Sequence, residues 1–148
     1  MVVRVQEESF DPGAEMNLFL REAAGAGAAV TFTGVVRSSP GDEIRSLTLE
    51  CYRELAIAQI QKAVAEAEAR FGLLKTTVIH RFGTLSPSEP IVQVMALAPH
   101  REAAFAGASF LMDYLKTDAP FWKQETTSSG TRWVEAKATD DAARQRWK

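Results

Sequence analysis

The chain has 148 residues, 46% hydrophobic and 24% charged, with a formal net charge of −2 at pH 7. These values are ordinary for a soluble globular protein, so we expect one domain over residues 1–148, and the near-neutral charge argues against nucleic acid binding. No apolar run reaches the roughly 18 residues of a membrane span, the acidic N-terminal segment is no secretory signal, and a cytoplasmic location is expected. The single cysteine, Cys51, excludes an internal disulfide and a multi-cysteine zinc site.

The first part of the chain alternates between a helical pattern and strand patterns. A short helix is predicted over Ala14–Ala24, followed after three small residues by a β-branched strand over Ala28–Arg37. Gly34 permits either a bulge or a close backbone approach within that strand. A polar turn or loop is predicted at Ser38–Glu43, and alternating apolar residues predict a half-buried strand over Ser46–Tyr52.

The middle of the chain carries the clearest periodicity. Apolar residues fall on one face of an amphipathic helix over Arg53–Phe71, with Gly72 as its cap. Strands are predicted over Lys75–Gly83 and Ile91–Ala98, and the second is apolar enough to be central in a sheet. A further helix is predicted from about His100 to Lys116.

The last part predicts a hairpin and a short helix. Pro120 ends the preceding helix, because proline cannot continue the hydrogen-bond ladder. Residues 120–136 read as two strands around a Ser-Ser-Gly turn, and Thr139 with the two aspartates after it can start a helix. The mixed order with short connections predicts an α+β fold with a mixed, largely antiparallel sheet and packed helices.

The stretch MDYLKTDAPFWKQE places two lysines seven residues apart. Lys116 lies at a predicted helix end, where a cation simply suits the helix dipole, and this is the ordinary explanation for a lone lysine. Strand alternation places Phe121 and Lys123 on one face and Trp122 on the other. A lysine desolvated in this way is more available as a base or nucleophile. The chain reverses near Pro120, so the lysines can converge, although the spacing does not prove it.

Two further basic groups are candidates for binding an anion. His100 and Arg101 stand at a predicted helix start, where free backbone N–H groups favour an anion, although a solvated surface pair is an equal alternative. Arg37 is a possible second anion ligand or a plain surface arginine. We favour a structural role for His80 and a buried, inert thiol for Cys51. The residues alone thus point to a phosphorylated small-molecule substrate without naming a reaction.

Several stretches together resemble the large, catalytic subunit of molybdopterin synthase, in that family's order and from about Gly25 to the end. The most specific is MDYLK-T-x-APFWK. The matching stretches are VTFTGVVR (Val30–Arg37), LTLECY (Leu47–Tyr52), TVIHRFGTL (Thr77–Leu85), APHREAAF (Ala98–Phe105), FLMDYLKTDAPFWKQE (Phe110–Glu125) and RWVEA (Arg132–Ala136).

The resemblance implies an α/β hammerhead-like fold and a sulfurtransferase activity without a metal or cofactor. The family converts cyclic pyranopterin monophosphate to molybdopterin in molybdenum cofactor biosynthesis by installing two sulfurs as a dithiolene. The sulfur donor is the C-terminal Gly-Gly thiocarboxylate of a small ubiquitin-like carrier subunit. Two large subunits form a homodimer, and one carrier docks on each, giving a heterotetramer.

The resemblance also assigns residues. It implies that Lys116 and Lys123 are catalytic and also contact the substrate. The other substrate contacts that it implies are Val35, Val36, Arg37, His100, Arg101, Gln124 and Glu125. Three positions depart from the family pattern, because Val35 and Gln124 stand where relatives often carry a basic residue, and Cys51 where they often carry histidine.

Two alternatives stay open at this point. One is a lyase that forms a lysine Schiff base with a phosphorylated carbonyl compound. The other is a non-catalytic module that binds a ubiquitin-like C-terminal tail. Borohydride trapping on a lysine would favour the first, and tail binding without product would favour the second.

Overall fold

A computed structural model describes residues 1–38, 43–134 and 138–148, and it is an α+β protein as predicted. Helices and strands follow one another along the chain without a long repeat of either. The elements are β1 (Val2–Gln6), α1 (Pro12–Phe19), a 3₁₀ turn (Leu20–Glu22), β2 (Ala28–Val35), β3 (Ile44–Glu50), α2 (Arg53–Phe71), β4 (Lys75–Arg81), β5 (Gly83–Leu85), β6 (Pro90–Ala98), α3 (Arg101–Thr117), β7 (Trp122–Thr127), β8 (Gly130–Val134) and α4 (Ala138–Gln145).

The described strands form two four-stranded sheets rather than one. The first has the order β1-β4-β6-β2 and the second β5-β3-β7-β8. Only β1 and β4 pair in parallel among these residues, so the predicted largely antiparallel arrangement is confirmed. The chain passes from the first sheet to the second at Gly83, whose positive φ of 90° suits glycine.

The first sheet is covered on both faces. On one face, Val5, Val78 and Val94 pack under α2 and α3, which contribute Ile60 and Leu111 among others. On the other face, a smaller cluster joins β4 and β6 to Phe19 of α1. Burial on both faces explains the apolar run of β6, which lies inside the sheet as predicted.

The second sheet is buried on one face only. Its inner face forms a small cluster of Val36, Leu47, Leu49 and Leu85. Its outer face carries the exposed ring of Trp122. The small cluster lies where the two sheets meet, because Val36 directly follows β2 of the first sheet.

Helix α2 has the predicted bounds, and Gly72 caps it in the left-handed conformation with φ of 67°. Helix α1 differs from its prediction, because Asp11 accepts hydrogen bonds from the backbone N–H groups of Gly13 and Ala14 and so starts the helix earlier. Strand β1 was not predicted. Residues 39–42 of the predicted turn at Ser38–Glu43 lie outside the described residues.

The C-terminal part also follows the prediction. The hairpin turns at Ser128 and Ser129, where Thr127 pairs with Gly130. Residues 135–137, at the end of the predicted hairpin, lie outside the described residues. After α4, Trp147 packs edge-on against Phe71 of α2 and against α3. In the described part of the chain, no helix combines the length and apolarity needed to cross a membrane.

Candidate active site

The structure brings the two lysines of the MDYLKTDAPFWKQE stretch to one cavity. Lys116 lies in the last turn of α3, and Lys123 is the second residue of β7. Both line a small cavity of about 50 Å³. The other residues around it are mostly apolar: Phe32, Gly34, Val35, Leu49, His80, Ile91, Val92, Met112 and Leu115.

A tight turn at Pro120 produces this convergence. Helix α3 ends when the backbone N–H of Asp118 and that of Ala119 both donate to the carbonyl of Tyr114. The N–H of Phe121 then donates to the carbonyl of Ala119 at 2.8 Å, which is the hydrogen bond of a γ-turn centred on Pro120. The fixed φ of proline suits that turn, and the chain re-enters the sheet as β7.

Strand pairing places Lys123 against an apolar wall. In the β3–β7 ladder Lys123 stands opposite Leu49, which is only 1% exposed. Phe121 packs against the small cluster of the second sheet, to which Leu49 belongs. Trp122 is exposed on the opposite face and meets the ring of Tyr52 edge-on. The alternation predicted from the sequence is therefore the one observed, and the ammonium of Lys123 is partly removed from water.

His80 adds a third polar side chain to this cavity. It is buried in β4, with its ring stacked on that of Phe121 at 3.9 Å between centroids, and its Nδ1 lies 2.8 Å from the carbonyl oxygen of Arg81. Burial lowers the pKa of His80 to about 4; the hydrogen bond to Arg81 opposes this, and the charges of Lys123 and Lys116 lower it further. The imidazole is therefore neutral at physiological pH.

The end of β2 forms one wall of the cavity. Val35 lines it, while Val36 is buried in the small cluster and is held by backbone hydrogen bonds to Glu89 and Ser88. The ladder with β6 has a register shift between Gly34 and Val35, which is the predicted bulge. Arg37 comes two residues after Val35 in the chain and is exposed.

His100 and Arg101 lie at the opposite end of α3 from Lys116. Arg101 precedes Lys116 by fifteen residues of helix, which corresponds to about 22 Å. His100 is the exposed residue before the helix, close to the start of β2, and Arg37 follows the far end of that strand. One chain therefore does not bring the predicted anion ligands His100 and Arg101 to the lysine cavity, and their role stays a prediction.

Gln124 and Glu125 continue β7 away from the cavity and do not line it. Gln124 stands opposite Trp133 of β8. Glu125 accepts hydrogen bonds at 3.1 and 3.0 Å from the guanidinium of Arg132, and only 17% of its side chain is exposed. Both residues thus lie in the same strand as Lys123 and pair with β8, and their contact with substrate stays a prediction.

Cys51 lies just beyond β3 and is half-buried with a free thiol. Burial raises the pKa of this thiol, although the positive charge of Arg53 opposes the shift. The group is therefore protonated and a poor nucleophile, in agreement with the inert role expected for it.

Another cavity, of about 440 Å³, lies between α2, α3 and the C-terminal segment, and none of the predicted site residues lines it. In the described ranges, no group of three or more His, Cys, Asp and Glu side chains has a geometry that could hold a metal ion.

Sequence reasoning missed His80 as a member of the cavity. An isolated histidine inside an apolar strand carries no local signal, because its surroundings come from α3 and β7, which are distant in sequence. The stretch TVIHRFGTL does contain it, so the motif resemblance was the one available pointer.

Comparison with protein families gives a match to the model described as MoaE protein over residues 5–118. Among curated proteins, the molybdopterin synthase catalytic subunit of Cereibacter sphaeroides is 50% identical over 147 residues, covering 99% of this chain and 100% of the relative. The subunit of the same name from Pseudomonas aeruginosa is 47% identical over 148 residues, covering 99% of both.

Solved structures agree with this assignment. The molybdopterin biosynthesis MoaE protein from Burkholderia ambifaria matches with a TM-score of 0.83 and 42% identity, covering 99% of this chain and 97% of that one. A complex of subunits 1 and 2 of the molybdopterin-converting factor from Helicobacter pylori shares the fold, with a TM-score of 0.75 at 20% identity over 93% of this chain and 92% of that one. The family model and the curated relatives together place this chain in the MoaE protein family.

Proposed function

We propose that this chain is the catalytic subunit of a molybdopterin synthase, a sulfurtransferase of molybdenum cofactor biosynthesis. It converts cyclic pyranopterin monophosphate to molybdopterin with sulfur from the thiocarboxylate of a small ubiquitin-like carrier subunit. The observation that carries the proposal is the convergence of Lys116 and Lys123 on one cavity, in a chain of the MoaE family.

The shape of the cavity suits the end of the carrier. Its volume is only about 50 Å³, and apolar side chains such as Val35, Leu49 and Ile91 form its walls. A Gly-Gly terminus has no side chains and can enter where bulkier residues cannot. The two lysines then supply the positive charge that a thiocarboxylate anion requires in an otherwise mostly apolar cavity.

The lysines have distinct tasks in the proposed reaction. In each transfer the thiocarboxylate sulfur bonds to a carbon of the pterin side chain as a carbon–oxygen bond at that carbon breaks, and the departing oxygen takes up a proton. Water then attacks the acyl carbon of the carrier, which passes through an oxyanion. When the carbon–sulfur bond to the carrier breaks, the sulfur stays on the pterin and the carrier ends as a carboxylate. A protonated Lys116 stabilises the oxyanion, and Lys123, nearer the pterin, moves protons on its side chain.

Binding of the substrate phosphate requires cations beyond the lysines. Arg37 follows the strand that forms the cavity wall and is exposed, so it is available from the same chain. His100 and Arg101 are about 22 Å from Lys116 along α3, and we propose that they reach the site of a second copy of this chain. The free N–H groups at the start of α3 add to their attraction for an anion.

The proposed assembly is a homodimer of this chain with one carrier bound to each copy. The Helicobacter pylori relative is described as a complex of two subunits, which supports a carrier partner here. We also propose that residues 1–148 act as one domain, since Trp147 near the C-terminus packs into the main core. A cytoplasmic location is proposed, where reduced thiols such as that of Cys51 persist.

A reconstitution tests the function directly. The chain is mixed with a thiocarboxylated carrier and cyclic pyranopterin monophosphate, and the dithiolene pterin is assayed for wild type, Lys116→Ala and Lys123→Ala. Lys62→Ala, an exposed lysine of α2 outside the cavity, is the matched control. The proposal requires product from wild type and the control and a collapse in either cavity variant.

Other outcomes would redirect the proposal. Carrier binding without any product, using a carrier proven competent with a known catalytic subunit, would indicate a binding module. Substrate trapped on Lys116 or Lys123 by borohydride would indicate a Schiff-base lyase.

A further inference from the structure

The proposed reaction leaves one cavity residue without a task. His80 is 5% exposed, yet its side chain lines the cavity that Lys116 and Lys123 share. A purely apolar residue would fill a core position in β4 at lower cost, because burying an imidazole requires hydrogen-bond partners for its nitrogens. The position of this ring therefore calls for an explanation beyond packing.

The hydrogen bond to Arg81 fixes the tautomer of the ring. A backbone carbonyl can only accept a hydrogen bond, so Nδ1 of His80, 2.8 Å from that oxygen, carries the proton and donates it. In a neutral imidazole the other nitrogen, Nε2, then has a lone pair. Nε2 is thus a hydrogen-bond acceptor in a cavity whose two charged groups are ammonium ions.

Burial first, and then the surrounding positive charges, keep this acceptor neutral. Lys123 of β7 and Lys116 of α3 both act on the ring with positive charge, and Lys123 acts more strongly. The neighbouring Arg81 is also cationic, with its guanidinium donating to the carbonyl of Glu7 and lying 3.6 Å from the carboxylate of Glu89. Protonation of His80 would add a further positive charge to this group, which burial and repulsion both oppose.

We propose that His80 is a positioning residue, whose Nε2 accepts a hydrogen bond from the Nζ of Lys123 and holds that ammonium toward the reacting atoms. The inference rests on the proposed function. It follows from the local geometry, since the ring stacks on Phe121, which directly precedes β7 and lies two residues, or about 7 Å of extended chain, from Lys123. The flexible lysine stem can span that distance to the edge of the ring.

A hydrogen bond from Lys123 to His80 also affects the charge of Lys123. An acceptor bound to the ammonium stabilises its protonated form, so loss of the acceptor lets Lys123 lose its proton at lower pH. It also frees the side chain to leave its reactive orientation, which lowers kcat more than it changes KM. A merely structural histidine would affect stability and produce neither effect.

Two variants separate these roles in the full complex with thiocarboxylated carrier. His80→Phe keeps an aromatic ring for stacking on Phe121 and removes the acceptor, whereas His80→Gln supplies a side-chain carbonyl as acceptor. We expect His80→Phe to lower kcat about tenfold with little change in KM, the size expected for one hydrogen bond to a charged group, and to move the alkaline limb of the pH–rate profile to lower pH. His80→Gln should keep most of the wild-type kcat and an alkaline limb close to that of wild type. Val78→Ala, on the same buried face of β4 but outside the cavity, is the packing control.

A second readout does not depend on activity. The ¹⁵N resonance of the Lys123 Nζ is titrated in the free chain of wild type and His80→Phe, and the variant should deprotonate at lower pH. Unchanged titration and an unmoved alkaline limb in His80→Phe would overturn the proposal, as would His80→Gln behaving like His80→Phe. Absence of product from wild type would contradict the proposed function instead, and the titration would still decide the hydrogen bond.

Discussion

At the scale of single residues, the site depends on how burial and charge are combined around His80 and the two lysines. The imidazole is enclosed by apolar neighbours and stacked on Phe121, while the ammonium groups remain closer to solvent. A neutral acceptor beside two cations allows positive charge to be concentrated without a third repelling ion. The proposed reactive groups are thereby held by ordinary packing of β4, α3 and β7.

His80 makes stability depend on pH in a defined direction. Its pKa falls from the ordinary 6.5 in the unfolded chain to about 4 in the folded one. Between these values the unfolded state binds more protons, so the free energy of unfolding falls as pH drops from about 6.5 to about 4, by about 3 kcal/mol for this group. Urea unfolding of wild type and His80→Phe across this range checks it, since the variant should lose less stability in acid. Equal losses in both proteins would refute the assignment.

Gly34 leaves room for the side chain of Val92 in the wall of the lysine cavity. A Cβ at this position would lie 2.7 Å from Cγ1 of Val92, which itself lines the cavity. Gly34→Ala should therefore push Val92 into the cavity and destabilise the fold by about 1–3 kcal/mol, as overpacking does. Carrier binding measured by titration calorimetry should weaken as well. Gly13→Ala, where the nearest atom is 3.4 Å away, is the control, and equal binding by both variants would contradict the expectation.

At the scale of secondary-structure elements, the sequence predicted features that depend on residues close together in the chain. It did not predict features that depend on residues far apart in the chain. Helix α2 was predicted with its bounds because a 3.6-residue apolar period and Gly72 are local signals. Strand β1 was missed because five residues say little alone, and its partner β4 lies about seventy residues further along the chain. The convergence of Lys116 and Lys123 was left open for the same reason, since it needed both the turn at Pro120 and the β3–β7 register.

Gly72 provides a test at this scale. It has φ of 67° with open space around the position of a Cβ, so only backbone strain opposes a side chain there. Gly72→Ala should lower the free energy of unfolding by about 1 kcal/mol, and Gly72→Asn by less, because asparagine tolerates the left-handed region better. Thermal or urea unfolding of the two variants measures this order. Alanine as stable as glycine would show that the cap is not strained.

At the scale of the whole molecule, the main feature is the distance between two pairs of basic residues. One pair is Lys116 with Lys123, and the other is His100 with Arg101. The lysine cavity lies at one end of α3 and β2, and His100 with Arg101 lies at the other. A symmetric pair of chains is the simplest assembly that would bring His100 and Arg101 of one copy to the lysine cavity of the other copy. Each copy would then supply cations to the site of its partner. The sequence names these residues as candidates, but it does not indicate at which chain's cavity each of them would act.

Mixing two inactive variants tests this arrangement. Lys123→Ala and Arg101→Ala disable the same composite site on different chains, so a mixed dimer contains one site with both defects and one with none. Random reassociation should restore about a quarter of wild-type product formation, because half of the dimers are mixed and each has one intact site. Dithiolene pterin is assayed before and after subunit exchange. No gain over the unmixed variants would mean that both residues act within one chain.

In the proposed reaction, sulfur leaves the carrier at the cavity of Lys116 and Lys123. The most direct measurement is the mass of the carrier after incubation with this chain and cyclic pyranopterin monophosphate. We expect thiocarboxylate to be converted to carboxylate in step with dithiolene formation for wild type and Lys62→Ala. For Lys123→Ala we expect neither change, with carrier still bound. Full conversion by both Lys116→Ala and Lys123→Ala would show that the chemistry takes place elsewhere.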